Sequence, residues 1–479
     1  MKDLSVEGRR SSFARVAGLA ACTLALIAPA APVLADPLPP PTYPEPVPVT
    51  VQALRPGTAP GLLFLDPQSL ALSYQHGPQI LDDQGRLVWF HKVADGAFAT
   101  NFRVQTYHGQ EVLTWWEGGS DNTGIGSGIG YLADRNYRII ATVESQERMD
   151  LHEFRLTPQG TALVIVSREK PADLTPVGGP ADGTVLENGL QEIDVATGAV
   201  VHQWWSLDHV PITDTDLLSG NDHLDYFHMN SIALDADGNY IISARHTNTI
   251  YKVNRRTGEI IWRLGGRRSD FRLGAGATFA WQHDVEVSGT NTFRIFDNEA
   301  SQTDPTKESR VLWLRVDPRT RVATMVRELQ HPDAISVVVE GGSQDLPNGN
   351  TIVSWGSAGR VSEFTADGSL VLDATLPPRH STYRAYRFPW DGRPLTAPTA
   401  TVDGATVHAV WNGATGVARW RVLAGPSPTG LKRLAEAAWN GLDTAIAMPS
   451  GAAPSYVEVQ ALDSCNRIID ASPVTPTGQ

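Results

Sequence analysis

Six times along the chain, at intervals of roughly 50–60 residues, a polar turn is followed at once by a β-branched or aromatic run. The clearest copies are Asp82-Asp83-Gln84-Gly85-Arg86-Leu87-Val88-Trp89-Phe90, the stretch from Asp194 through Gly198 to Trp204, and the stretch from Asn254 through Gly258 to Trp262. Weaker copies run through Asp134, Asp317 and Asp367. A unit of this length holds four short strands, the content of one propeller blade. Long amphipathic helical patterns are absent from residues 61 to 389. The repeat predicts an all-β chain with a six-bladed β-propeller over residues 61–394. Five and seven blades are the alternatives, because the run Gly61-Leu62-Leu63-Phe64-Leu65 must close the ring. A composition shift after Trp390 introduces alternating strands such as Val407-His408-Ala409-Val410-Trp411. Residues 395–479 therefore read as a small β-sandwich similar to fibronectin type III modules.

A second repeated unit lies a few residues before successive hairpins. It places His152, His228, His283 and Gln344 at about the same point of four blades. Blades are radial, so equivalent positions form a ring about the axis. On innermost strands, that ring surrounds the mouth of the central funnel. A lone histidine in a β-protein is usually a satisfied structural residue, and some propeller repeats carry one per blade. Three at equivalent positions with different flanking residues weigh toward a site. His246 and His331 are further candidates. Clustered imidazoles can bind a metal or act as nucleophiles toward phosphorus or sulfur. Tight zinc spacings such as HExxH are absent, as are the phosphate-binding loop, the G-x-S-x-G elbow and the dinucleotide fingerprint. We expect no cofactor and no resident metal.

The N-terminus bounds the compartment. Lys2, Arg9, Arg10 and Arg15 precede an apolar stretch, Val16 to Ala31, and small residues flank a cleavage point after Ala35. Residues 1–35 read as a signal peptide, and residues 36–60 as a proline-rich lead-in. The expected location is secreted or extracytoplasmic, with no membrane span in the mature chain. Of the two cysteines, Cys22 falls in the leader and Cys465 is left alone, so stability must come from the core. Net charge is −13 and the leader is basic, so the mature chain is more acidic still. An acidic chain without basic runs argues against nucleic acid as a partner.

The central segment resembles the bacterial and fungal arylsulfotransferase family. The residues that carry the resemblance are Asp225-Tyr226-Phe227-His228-Met229-Asn230-Ser231, Ile242-Ser243-Ala244-Arg245-His246-Thr247 and Ile260-Ile261-Trp262-Arg263-Leu264-Gly265-Gly266. They continue with Trp281-Gln282-His283-Asp284, Phe296-Asp297-Asn298, His331-Pro332, Gly342 to Asn350, and Tyr383 to Phe388. The resemblance implies a six-bladed propeller that moves a sulfuryl group from an aryl sulfate to a phenolic acceptor. It also implies a sulfated histidine intermediate and no nucleotide donor. Carried over by motif, His228 and His283 match family active-site histidines, and either His283 or His331 is the sulfated one. A family arginine follows the Phe-Asp-Asn motif, but here Glu299-Ala300-Ser301-Gln302 follows, and Arg310 is the nearest downstream candidate.

The residues and the resemblance together predict a catalytic set of His228, His283, His331, Arg245 and Arg310. The predicted substrate-binding set is His152, His246, Trp281, Phe227, Asn230 and Gln344, with Trp281 and Phe227 stacking on the aryl ring. A non-catalytic ligand-binding or scaffold propeller at the cell surface is the alternative.

Overall fold

Each turn of the first repeat closes a hairpin onto the outermost strand of a four-stranded antiparallel sheet. The structure, a computed structural model, describes residues 46–69, 74–121, 124–217, 221–300, 304 and 306–477. The signal segment 1–35 and the first part of the lead-in lie outside these residues. Gly198 and Gly258 occupy the left-handed position of their turns at φ 72° and 76°. Tyr137 and Arg321 hold that position in two weaker copies, at φ 64° and 53°. A side chain there costs roughly 1–2 kcal/mol, and the missing glycine is what made those copies faint.

Among the described residues, six such sheets follow one another along the chain. The second is Phe98–Tyr107, Gln110–Ser120, Gly126–Ala133 and Ile139–Val143. The inner strands of the third to sixth are Arg148–Leu156, Met229–Leu234, His283–Val287 and Gly342–Asp345. The first sheet joins Leu62–Gln68, Gln79–Leu81 and Leu87–Phe90 to a late inner strand, Ser381–Phe388. Each inner strand touches the next, and Ser381–Phe388 touches Phe98–Tyr107, which closes the cycle. The buried apolar residues follow the same order, with one cluster between each neighbouring pair of sheets. The chain is all-β and propeller-like. Part of the lead-in belongs to it: Thr50–Leu54 pairs antiparallel with Leu370–Thr375 as a fifth strand of the sixth sheet.

Arg384 fills the axis. It leaves the inner strand of the first sheet and ion-pairs with Glu153 of the third and Asp284 of the fifth, each at 3.1 Å. It also donates to Asn101 Oδ1 of the second and to the Asn230 carbonyl of the fourth.

Residues beyond 398 form two facing sheets, one of Thr399–Asp403, Thr406–Val410 and Asp443–Ala447, the other built around Arg419–Gly425 and Tyr456–Leu462. Val407, Trp420, Val422 and Val459 fill the space between them. This sandwich is tied to the first sheet. Asn412 exchanges hydrogen bonds with both backbone groups of Phe90, at 3.0 and 2.8 Å. Tyr137 donates to the Gly413 carbonyl at 2.7 Å and stacks on Trp89. A Cβ on Gly413 would meet the Tyr137 ring at 2.3 Å, at φ 95°. Gly413→Val is expected to weaken this seam by about 1–3 kcal/mol. The check is limited proteolysis, with cleavage appearing at residues 389–398 while both sheet systems stay folded. No helix among the described residues is long and apolar enough to cross a membrane.

Candidate functional site

Five of the six inner strands break register with their neighbour. The shifts fall at Thr100/Arg103, opposite Val164/Val166, at Met229/Ser231, at His283/Glu286 and opposite Leu65/Pro67. A bulge inserts a residue and re-aims side chains. His228, Trp281 and Asp284 take left-handed backbone near these points, at φ 52°, 54° and 50°. The strand after Met229 and the strand before Arg245 continue to pair beyond their regular ends. Arg245 N donates to the His228 carbonyl at 3.0 Å, and His246 N to the Phe227 carbonyl at 3.1 Å. That pairing sets His228, Arg245 and His246 side by side.

The result is a cavity of about 610 Å³ whose lining includes His152, His228, His246, His283, Arg245 and Tyr383. The His152 and His228 ring centroids are 4.9 Å apart, and those of His228 and His246 are 4.5 Å apart. All four histidines have Nδ1 against an oxygen. His152 faces the Asp150 carboxylate and His228 the Asp225 carboxylate. His246 donates to the Asp225 carbonyl at 2.6 Å, and His283 to Asn298 Oδ1 at 2.7 Å. These acceptors fix the proton on Nδ1 and leave the Nε2 lone pair. Arg245 Nη1 donates to His246 Nε2 at 2.6 Å, and its guanidinium lies 3.9 Å over the Trp281 ring.

Electrostatics keep three of the rings, those of His228, His246 and His283, neutral. Burial pushes His228, His246 and His283 well below the ordinary imidazole range, and the Arg245 charge adds to the shift in each. Burial also lowers Arg245, to about 10, so it remains a cation. Burial raises Asp225, while His246 and Arg245 oppose the rise. A neutral imidazole with its proton on Nδ1 presents a nucleophilic nitrogen. Asp225, His228 and His246 also bring three ligand atoms within 4.8 Å of one another. The guanidinium of Arg245 beside His246 opposes a cation there.

The family model described as arylsulfotransferase (ASST) covers residues 103–376, more than half of the chain. The chain belongs to the arylsulfotransferase family. No curated protein matches it. Among solved structures, a Bacteroides caccae protein of unknown function aligns at 11% identity and TM-score 0.41, covering 68% of this chain and 98% of that one. The periplasmic gluconolactonase of Pseudomonas aeruginosa aligns at 12% identity and TM-score 0.37, covering 81% and 99%. A catalytically inactive virginiamycin B lyase from Staphylococcus aureus aligns at 9% identity and TM-score 0.34, covering 76% and 96%.

For this arylsulfotransferase-family chain, the cavity gathers His152, His228, His246, His283 and Arg245 from the predicted residues. Trp281 sits behind Arg245 and supports it. Others lie elsewhere. His331 is wedged against Trp355 and Phe364, and its Nδ1 accepts from the Asp333 backbone N–H at 3.0 Å. It therefore carries the opposite tautomer to the cavity histidines. Arg310 is on the third strand of the fifth sheet and is held by Asp297, Glu328 and the Thr278 carbonyl. Phe227 is fully buried between Trp204 and Tyr251, on the core side of the turn that the left-handed backbone of His228 makes. Asn230 is buried and donates to the Gln282 carbonyl. Gln344 exchanges hydrogen bonds with the Arg387 backbone, away from the cavity.

Asp150, Asp225, Asn298 and Tyr383 are the residues that sequence reasoning passed over. Asp150-x-His152 and Asp225-x-x-His228 were visible as local spacings. Tyr383 donates to the His152 and Asn230 carbonyls, at 3.2 and 3.3 Å, and so braces the third and fourth sheets.

Proposed function

We propose that this protein is an exported sulfotransferase that carries a sulfuryl group from an aryl sulfate to a phenolic acceptor without a nucleotide. Its frame is read as a six-bladed propeller with a fibronectin-III-like accessory module. One observation carries the reading: four histidines share one cavity, each with Nδ1 engaged, beside a buried arginine.

In place of the two options that the motifs offered for the sulfated residue, His283 and His331, His228 is the nucleophile. A carboxylate stands on its Nδ1, whereas His283 has an amide there and His331 packs against Trp355 and Phe364, outside the cavity lining. Its Nε2 attacks sulfur, the N–S bond forms and the S–O bond to the aryl group breaks. Positive charge then develops on the ring, and the Asp225 carboxylate on Nδ1 stabilises it. Arg245 faces the sulfuryl oxygens. His283, neutral and held by an amide, accepts the proton of the incoming phenol as that oxygen attacks the sulfohistidine. The imidazolium so formed passes its proton to the next departing aryloxide, and the cycle balances. His246 has its Nε2 on Arg245 and serves as a spacer for that cation.

The test is release of phenolate from a chromogenic aryl sulfate, with and without added phenol. The wild type is expected to show a burst and phenol-dependent turnover. His228→Ala is expected to lose both, and His283→Ala to keep the burst and lose turnover by about 10²–10⁴-fold. An acid-labile sulfo group on the His228 peptide is expected by mass spectrometry. Absence of phenol-dependent release from the wild type would sink the reading.

A further inference from the structure

A type II turn reserves its third residue for glycine, because the backbone there must be left-handed. Pro377 to His380 form such a turn. His380 N donates to the Pro377 carbonyl at 3.1 Å, and Pro378 fills the second position. The third residue is Arg379, at φ 68°. Its neighbours hold the turn from two sides. Ser69 Oγ donates to the Arg379 carbonyl at 2.8 Å. A Cβ on Gly359 would meet the His380 carbonyl at 2.3 Å, so the chain lies hard against that glycine.

The inner strand that follows, Ser381–Phe388, sets where this turn stands. Ser381 and Tyr383 line the histidine cavity, Arg384 fills the axis, and Tyr386 and Phe388 line the funnel at the far end. The strand thus runs from the histidine side of the axis to the opposite side. Arg379 precedes it and stands at the outer rim of the histidine cavity, whose lining it joins. Arg245, buried among the histidines, is the other arginine of that lining. The cavity therefore holds cations at two depths.

The outer cation has no counter-ion in the fold. Arg379 is exposed, and among the described residues its guanidinium has neither an ion pair nor a hydrogen bond. The carboxyl group in the lining, that of Glu340, is taken by Gln68 Nε2 at 3.0 Å and Ser381 Oγ at 3.4 Å. Burial pushes that carboxyl up to about 7, which weakens it further as a counter-ion. A chain of net charge −13 repels anions in general, and an unpaired cation at the rim reverses that sign locally. A strained backbone that presents such a cation at a cavity mouth points to a ligand contact.

We propose that Arg379 binds a carboxylate on the ligand, at the end of the aryl group remote from the reacting oxygen. Arg245 faces the sulfuryl group at depth, and Arg379 takes the second anion at the rim. The preferred substrates are therefore aryl sulfates and phenols with a carboxylate-bearing tail. That they are aryl sulfates and phenols rests on the sulfotransfer reading; the anion site does not. Arg379 meets the ligand away from the reacting atoms, so it sets specificity through binding and leaves the chemical step unchanged.

The experiment measures calorimetric binding of 3-(4-hydroxyphenyl)propanoate and of its neutral amide to the full chain, at low and high salt. The same pair then serves as acceptors for a nitrophenyl sulfate donor. The wild type is expected to bind the carboxylate about five- to tenfold more tightly than the amide. That preference should shrink as salt rises, because the ion pair is exposed, and among acceptors it should appear in KM. Arg379→Gly suits the turn, so it is expected to melt no lower than the wild type and to bind the two ligands equally. Arg379→Lys keeps the charge and most of the preference. Arg379→Gln keeps the backbone strain without the charge and is expected to lose the preference, which covers the case of a Gly variant that does not fold. A preference that survives Arg379→Gly or Arg379→Gln would overturn the proposal. Equal affinities in the wild type alongside phenol-dependent turnover would also overturn it, and would leave the sulfotransfer reading standing. A binding preference without any sulfotransfer would sustain the anion site while removing that reading.

Discussion

Arg384→Met is expected to cost about 3–5 kcal/mol of folding stability, because it takes the ion pair from buried Asp284 and one of three arginines from buried Glu153. Glu153 and Asp284 are both inaccessible, and Arg384 reaches each at 3.1 Å. Methionine fills much of the same space but offers no charge and no donor. Asn101 Oδ1 loses its donor, and the Asn230 carbonyl keeps only that of Tyr383. The pH dependence has a definite sign. Burial would raise Glu153, but Arg384, Arg103 and Arg155 outweigh it and hold the carboxyl at about 2. A carboxyl held below its unfolded value contributes stability that is present above about 4.5 and is lost as pH falls toward 2. The gap between wild type and Arg384→Met should be widest above pH 5 and should narrow through that acid range. Urea unfolding followed by tryptophan fluorescence at several pH values measures it. A constant gap across pH would place the loss in packing instead.

The second large effect is expected on turnover. Asp225→Asn should lower it by about a thousandfold or more while leaving the fold intact. Asp225 serves two rings at once, with its carboxylate on His228 Nδ1 and its carbonyl on His246 Nδ1. The carbonyl survives the substitution, so His246 and Arg245 keep their places. The carboxylate does not, and with it goes the charge that favours the cationic sulfohistidine. An amide can also turn its NH₂ toward Nδ1, which would drive the proton to Nε2 and quench the nucleophile. Burst kinetics separate the possibilities from a folding defect: the burst rate should fall and KM for the donor should change little. Circular dichroism should match the wild type. Loss of affinity with an unchanged burst rate would assign Asp225 to binding.

Much of the frame was legible because turn chemistry is local. The turns with a glycine at the left-handed position, Gly85, Gly198, Gly258 and Gly368, mark four of the six hairpins in the sequence itself. Where Tyr137 and Arg321 replace glycine, the fold tolerates the strain and the signal fades. The site was legible in the same degree as the symmetry holds. His152, His228 and His283 sit on inner strands that bulge, and the bulges turn them to one cavity. Gln344 sits at the corresponding point of a strand whose register runs unbroken, so it faces away. Arg310 is suggested by nearness to the Phe-Asp-Asn motif and His331 by the His-Pro match itself, and neither sign speaks of distance from the axis. Phe227 fails because the chain turns at His228, whose left-handed backbone sends the two side chains to different sides. The acidic partners at Asp150 and Asp225 stood within three residues of their histidines. Only their shared orientation needed the structure.

Arg384 and its partners do more than hold five sheets together. The histidine cavity has no lining residue in common with the funnel at the other end, which is walled by Arg103, Arg155 and Glu286. Between them stands the buried plug of Arg384, Glu153 and Asp284. For the proposed chemistry, an axis blocked in this way would make product and next substrate exchange on the same side of the plug instead of passing through it.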